Sequence, residues 1–476
     1  MLHKIKILIP VLLLLLMAGD AYSASFTLSS GATVADNYYV SPNGNDNNTC
    51  LSTGTACASQ QGALAKLPNK VDKTVTIHMA SGTYTPSATN GAAIYVDKQA
   101  SGNNLISFRG YVNSTANSFT DSASDSGTSS GSNTNNFPIN STPAADNTYF
   151  YDTTKSWTTN QWANMRLRIT GGTGFYGSSS FDNIYNWYVI IGNTSTRLNI
   201  MGRWTSAIPD ATTTYEIYDL ANSPNVTVGS ANYCVTTNKA FGISFMFMKC
   251  LEPTVGSFNI INSNDVSLSA TNLLGGDSWI SHSRKIRLNN LILQVTSSRN
   301  RGFTIVSKSD VLLNYTFIND FIGEGFYSND SNVGLYGSYI VSTSTSPADD
   351  GISLNTGFYA DAGSMVDITL SSIAGRNSIT FVNDVLVATF NTHIQLQSNV
   401  LLSGFSNSSN TYGPTISHHS TMEILTGPVL ITNVWKGTTI SNVSYFNAIP
   451  DASYSSIGAG GNETIEANSL KDTVIH

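Results

Sequence analysis

Six basic residues, Arg284, Lys285, Arg287, Arg299, Arg301 and Lys308, cluster in a chain of 476 residues that holds only 23 lysines and arginines. Side chains of this kind can grip the carboxylate of a uronate or a sulfate through charge-assisted hydrogen bonds, and the same residues would also serve simply to solvate turns. Arg284 and Arg287 are therefore candidate substrate contacts. Downstream, Asp349-Asp350-Gly351 puts two carboxylates side by side, the residue type that general acid–base catalysis on sugars requires, although Asp-Asp-Gly is also a common turn. Ser353 to Met365 brings Phe358 and Tyr359 together with Asp361. Aromatic rings stack on sugars, and a carboxylate accepts hydroxyls or holds calcium. Tyr327 and Asp330, one repeat earlier, complete the candidate substrate contacts. The histidines His282, His393, His418 and His419 are scattered and suggest no metal set.

Composition narrows the classes of function. Charged residues make up 11% of the chain, the formal net charge is −7 and the pI is about 5.4. There is no positive field to collect phosphates, so nucleic acid is excluded as the expected partner. Uncharged Ser, Thr and Asn must coat the surface.

Lys4 and Lys6 precede an apolar run from Ile7 to Ala18, and Ala21-Tyr22-Ser23 has the small residues of a cleavage site, so residues 1–23 are expected to be a signal peptide. The run is short of the ~20 residues a spanning helix needs. The mature protein is expected to be secreted or held at the cell surface, with no membrane span. Four cysteines fall into two local pairs, Cys50 with Cys57 and Cys234 with Cys250. In an oxidising compartment each pair is expected to be a disulfide.

The elements that would position these residues announce themselves as repeats. Short runs with apolar residues at alternate positions begin at Val266, Ile286, Val311, Val333, Val366 and Val385, at intervals of 20, 25, 22, 33 and 19 residues. A period of two marks β-strands, and the intervals suit one turn of a solenoid. Ile280, Ile305, Tyr327 and Ile379 each lie six residues before the next such run, whereas Ile352 lies fourteen before Val366. A constant turn is implied, broken in one coil by about eight extra residues that should project as a loop carrying Phe358, Tyr359 and Asp361. In this alignment Lys285, Asp310, Asn332 and Asp384 share a turn column with Asp265 just before them, and Ser283, Lys308 and Asp330 share another. Stacked coils whose strands pair in parallel form a parallel β-helix.

Tyr38-Tyr-Val-Ser-Pro-Asn-Gly-Asn-Asp46, Gln60-Gln-Gly-Ala-Leu-Ala65 and Val75-Thr-Ile-His-Met-Ala-Ser-Gly-Thr-Tyr84 together resemble the opening of secreted right-handed β-helix proteins of the pectate-lyase-like superfamily. The resemblance implies an all-β, right-handed parallel β-helix whose open end is covered by a short helix, with Ser59 as its N-cap. It also implies an extracellular polysaccharide as partner, and chemistry in which acidic residues hold calcium with a Lys or Arg as base, or in which paired carboxylates hydrolyse. Ser307-Lys308-Ser309 resembles the lysine segment of the alginate and chondroitin lyase branch, which would make Lys308 the base. Asp349-Asp350 resembles the double aspartate of the polygalacturonase-like hydrolases, which would make Asp350 catalytic, but their Gly-His-Gly and Arg-Ile-Lys motifs are missing. No cofactor is required apart from calcium in the lyase chemistry, with Asp361 as its candidate ligand.

Residues 24–112 are thus expected to form the cap and first coils, 113–151 a Ser/Thr/Asn-rich loop, 152–222 an inserted antiparallel β-module, 223–447 further coils and 448–476 a C-terminal segment. The module holds Trp157, Trp162, Trp187 and Trp204, expected chiefly in its own core. Two functions remain open: a polysaccharide lyase or glycoside hydrolase acting on uronate-containing glycan, or a non-catalytic surface adhesin or structural solenoid.

Overall fold

The computed structural model describes residues 34–130, 133, 148–202, 204, 206–227, 231–276, 278–295, 302–319, 324–342, 356–369, 372–375, 384–397, 400–403, 412–426, 429–434, 438–440, 445–448, 454–458, 463–465 and 470–473. The expected signal peptide lies outside them. Each coil of the solenoid has three strands, as in Ser278–Ser281, Arg284–Asn289 and Ile292–Val295, followed by Phe303–Val306 of the next coil. All pair in parallel with their equivalents, with Ile280 opposite Ile305, Ile286 opposite Val311 and Leu293 opposite Ile318. The protein is a right-handed parallel β-helix.

Alternation decides what lies inside. On the second strands Val266, Ile286, Val311, Val333, Val366 and Ile394 form one buried column and Leu268, Leu288, Leu313, Leu335, Ile368 and Leu396 another. Between first and second strands, Asn262, His282, Lys308 and Asp330 take left-handed conformations with φ from 47° to 60°. Beneath them runs a buried serine ladder: the N–H groups of Ser263, Ser283 and Ser309 donate to the hydroxyls of Ser283, Ser309 and Ser331 at 3.1, 3.3 and 3.2 Å. Backbone donors that the turn would otherwise orphan are thereby satisfied from coil to coil.

This ladder corrects the expected register. Ser283 aligns with Ser309 and not with Lys308, because the turn after Val306 has one more residue than the turn after Ser281. The difference is absorbed at Lys285, which is bulged at φ 53°, so that Asp310 donates its N–H to Ser283 and faces Arg284. Asp384 is in neither column: Asp384–Ala388 is a first strand, and the second strand of its coil is His393–Gln397. The expected projecting loop is also absent from its place. Thr356–Asp361 is a strand paired with Glu324–Asn329, which leaves the extra length to residues 343–355, outside the described residues. Coils continue past Asn447 to Leu470–Thr473.

At the N-terminus, Asn37–Val40 pairs with Val75–Met79. The expected helix, Gln60–Leu64, begins at Ser59, whose hydroxyl accepts from Gly62 N–H. Asp46 fixes that cap by accepting from Ser59 N–H at 2.8 Å and Ser59 Oγ at 2.6 Å. Both expected disulfides, Cys50–Cys57 and Cys234–Cys250, are formed.

The inserted module leaves the solenoid after the second strand Ile106–Gly110 and returns at the third strand Pro224–Val226, its two ends joined by Asn113 N–H to Asn222 O at 3.1 Å. It is an antiparallel six-stranded sheet that includes Asp125–Thr128 and Thr148–Tyr151, so it starts earlier than the expected residue 152. Its four tryptophans are buried. Arg166, itself fully buried, pins the module to the coils by donating to Asn272 Oδ1 and Asn290 O, both at 2.8 Å, and burial lowers its pKa to about 9. Among the described residues no helix is long and apolar enough to cross a membrane.

Candidate functional site

The outward positions of the first strands form a continuous column: Tyr95, Thr236, Asn259, Trp279, Thr304, Tyr327, Tyr359, Val387 and Thr415. Period two puts the residue before Ile280 outside because Ile280 is inside. Trp279 is accordingly 37% exposed, and Tyr327 and Tyr359 stack with centroids 5.7 Å apart and an interplanar angle of 22°. Between Trp279 and Tyr327 stands Thr304, whose buried hydroxyl has no hydrogen-bond partner among the described residues. Asn329 Nδ2 donates to Tyr327 Oη at 3.3 Å and orients the ring.

Along one edge of this column runs the left-handed turn. Lys308 N–H donates to Asp330 O at 2.6 Å and Asp330 N–H to Asp361 O at 3.3 Å, which makes the three neighbours in successive coils. Lys308 and Asp330 are exposed. One coil before Lys308, His282 and Ser283 lead into the exposed Arg284, also at this edge.

The structure thus brings Tyr327, Tyr359, Lys308, Asp330, Asp361 and Arg284 to one region of the surface, and separates others from it. Phe358 is fully buried and stacked on Phe326 at 4.6 Å, on the inner side of the strand that puts Tyr359 outside, so it cannot contact a sugar. Arg287 points outward from the second sheet and pairs with Asp265 at 2.9 Å. Asp350, Arg299 and Arg301 lie outside the described residues. Asp361 accepts from Ala362 N–H at 2.7 Å, and among the described residues no three His, Cys, Asp or Glu side chains gather as metal ligands.

A second constellation, which no motif in the sequence marks, lies on the outer face of the first coils. His78 stacks on Tyr39 at 4.9 Å, faces Asn37 Oδ1 through Nε2 at 2.9 Å and meets Tyr111 Oη through Nδ1 at 2.9 Å. Burial, and next the Arg109 guanidinium, hold the His78 pKa below its usual value, while burial raises that of Tyr111. Arg109 lies over the rings of Tyr111 and Phe181 at 4.4 and 4.5 Å and binds Asp121 at 2.6 Å and Asp182 at 3.3 Å. These groups saturate one another and tie the module to the first coils. Alternation in Val75–Met79 marks His78 as outward, but only the coil register brings Tyr39, Tyr111 and Arg109 to it.

Trp279 is a further outward residue that the motifs do not single out, although it directly precedes Ile280 in a recognised strand. Its signal is the period of two.

No protein-family model matches the chain, and no curated protein matches it. Among solved structures it is similar to a rhamnogalacturonan lyase, with 11% identity over 84% of this chain and 85% of that one and a TM-score of 0.40. It is also similar to the tailspike protein gp49 from Pseudomonas phage LKA1, with 10% identity, 83% and 74% coverage and a TM-score of 0.31. A third is the GH136 lacto-N-biosidase from Eubacterium ramulus, with 9% identity, 90% and 68% coverage and a TM-score of 0.37. At these identities and scores the likeness adds nothing to what the strand pairing shows by itself, a parallel β-helix.

Proposed function

We propose that this protein is an extracellular glycan-recognising β-helix that holds a polysaccharide against the outward column of its first sheet. The observation that carries this reading is the alignment of Trp279, Tyr327 and Tyr359 on one face, held by strand pairing alone. Sugar rings present C–H faces to such platforms and hydroxyls to the polar groups beside them. Lys308, Asp330 and Arg284 supply those groups at the edge. The two disulfides support an oxidising, extracellular location.

Affinity electrophoresis through gels containing xylan, glucomannan, polygalacturonate or alginate tests the reading. Trp279→Ala and Tyr327→Ala should each weaken retention about 10-fold, equivalent to about 1.4 kcal/mol. Unchanged retention of the double variant on a polymer that the parent binds would place recognition elsewhere. Lys308 and Asp330, exposed side by side, favour a second reading in which a bound uronate chain is cleaved by β-elimination with Lys308 as base. An unsaturated product made by the parent and lost in Lys308→Ala supports that reading, and no product from any bound polymer sinks it.

A further inference from the structure

The turn column that carries Lys308 and Asp330 continues through three turns of two left-handed residues each: Ala362-Gly363 at φ 49° and 81°, Phe390-Asn391 at 50° and 60°, and His418-His419 at 54° and 63°. Backbone bonds stack them in that order, Asp330 N–H donating to Asp361 O at 3.3 Å, Gly363 N–H to Phe390 O at 2.9 Å and Asn391 N–H to His418 O at 3.0 Å. Lys308, Asp330, Phe390 and His418 are exposed along this ridge. Ala362-Gly363 interrupts it with a single methyl, and a Cβ at Gly363 would meet nothing within 4 Å among the described residues. We infer that this interruption is a binding slot for one ring of an uncharged sugar, walled by Phe390 on one side and by Asp330 on the other. The inference rests on the reading of the protein as glycan-recognising and adds a site outside its aromatic column.

Phe390 costs the fold stability in two ways. It is 51% exposed, so its ring gains little from burial, and the left-handed backbone crowds the Cβ of a bulky residue where Gly or Asn is the ordinary choice. Strain of this kind gathers where ligands are met. The ring is nevertheless fixed, stacked on His418 with centroids 4.4 Å apart and planes 25° from parallel. His418 is held in turn, its Nδ1 lying 3.1 Å from Thr389 Oγ1 and 3.0 Å from Ser417 Oγ. Because His418 stands one coil further on, the stack covers one face of the Phe390 ring and turns the other back toward Ala362-Gly363. A ring fixed before binding loses little conformational entropy on contact.

The dimensions and the walls select the ligand class. Asp330 and Phe390 stand two coils apart, roughly 9.6 Å at about 4.8 Å per coil. A ring stacked on Phe390 takes about half of that distance, and its hydroxyls on the far side come within reach of the Asp330 carboxylate, which can only accept. Asp361, whose Oδ1 accepts from Ala362 N–H at 2.7 Å, leads into the floor of the slot with a second carboxylate. Two carboxylates beside an aromatic face accept the hydroxyls of a neutral sugar and repel the charge of a uronate.

Affinity electrophoresis through xylan, glucomannan, polygalacturonate or alginate, with melting measured alongside, tests the slot. Phe390→Asn should weaken retention on xylan or glucomannan about 10-fold and leave Tm unchanged or higher, because Asn tolerates the left-handed turn. Ala362→Phe, at a φ that matches the one Phe390 takes, should weaken retention as much by filling the slot while Phe390 stays in place. Parent-like retention of either variant on every polymer that the parent binds overturns the slot, and a loss confined to polygalacturonate or alginate overturns its preference for neutral sugars. Failure of the column reading shows differently: Trp279→Ala/Tyr327→Ala would then be retained like the parent while Phe390→Asn is not. A parent retained by none of the four polymers sinks both.

Discussion

In the solenoid Phe303, Phe326 and Phe358 stand one per coil, with centroids 5.9 and 4.6 Å apart, and Phe258 leans onto Phe303 at 5.4 Å across the small Ser278. In the module Phe150 meets Tyr215 edge-on at 4.8 Å and Trp204 at 6.0 Å, inside a core that also takes Trp157, Trp162 and Tyr188. The solenoid repeats one contact along its axis, so each ring depends on its two neighbours. The module instead closes a three-dimensional core, where each ring touches several different elements. A narrow solenoid interior accommodates side chains in register, and surplus aromatics such as Trp279 and Tyr327 stay outside. A small antiparallel sheet lacks the length to bury enough aliphatic surface and takes its rings in.

The strongest way to break this contrast is to cut one ring from each core. Phe326→Ala and Phe150→Ala should each cost about 3–5 kcal/mol, the usual range for a buried aromatic. Hydrogen exchange should separate them: loosening confined to the coils on either side of Phe326, but spread through all six module strands for Phe150. Uniform loosening of the solenoid by Phe326→Ala would show that the coils are not nearest-neighbour units.

A smaller effect comes from the disulfides. Cys234 and Cys250 are separated by 16 residues and Cys50 and Cys57 by 7. Replacing the first pair by serine should lower stability by about 3 kcal/mol and the second by slightly less, about 2 kcal/mol, on loop-closure entropy. Denaturant titration gives both values. The reverse order would mean that the N-terminal cap relies on its covalent link more than the coils beside the module do.

The smallest effect sharpens the contrast at the seam. The folded pKa of His78 lies below the unfolded value of 6.5, so the stability it contributes is complete above that pH and falls as pH drops through 6.5 toward the folded value. Melting measured between pH 7.5 and 5 should show this decline in the parent, and less of it in His78→Asn. An identical slope in both would remove His78 as its source.

Much of this organisation is legible along the chain. Alternation in Ile286-Arg-Leu288 and its repeats determines a strand with one face inside, because the pleat reverses each side chain. The near-regular intervals determine coils, and the closeness of Cys50 to Cys57 and of Cys234 to Cys250 makes the pairing local. Alternation also marks Trp279 and His78 as outward. What alternation leaves undetermined is register: one extra turn residue after Val306 moves Lys308 out of the Ser283 column, and reading Asp384–Ala388 as a second strand assigns it to the wrong sheet. Because the side-chain period is two, a shift of one residue exchanges inside for outside, and the backbone hydrogen bonds of neighbouring coils choose between the registers. That choice buries Phe358 and leaves Tyr359 beside Tyr327. The meeting of Tyr39, His78, Tyr111 and Arg109, and the pinning of the module by Arg166, likewise join residues far apart in the chain, and only the stacking of coils brings them within hydrogen-bond reach.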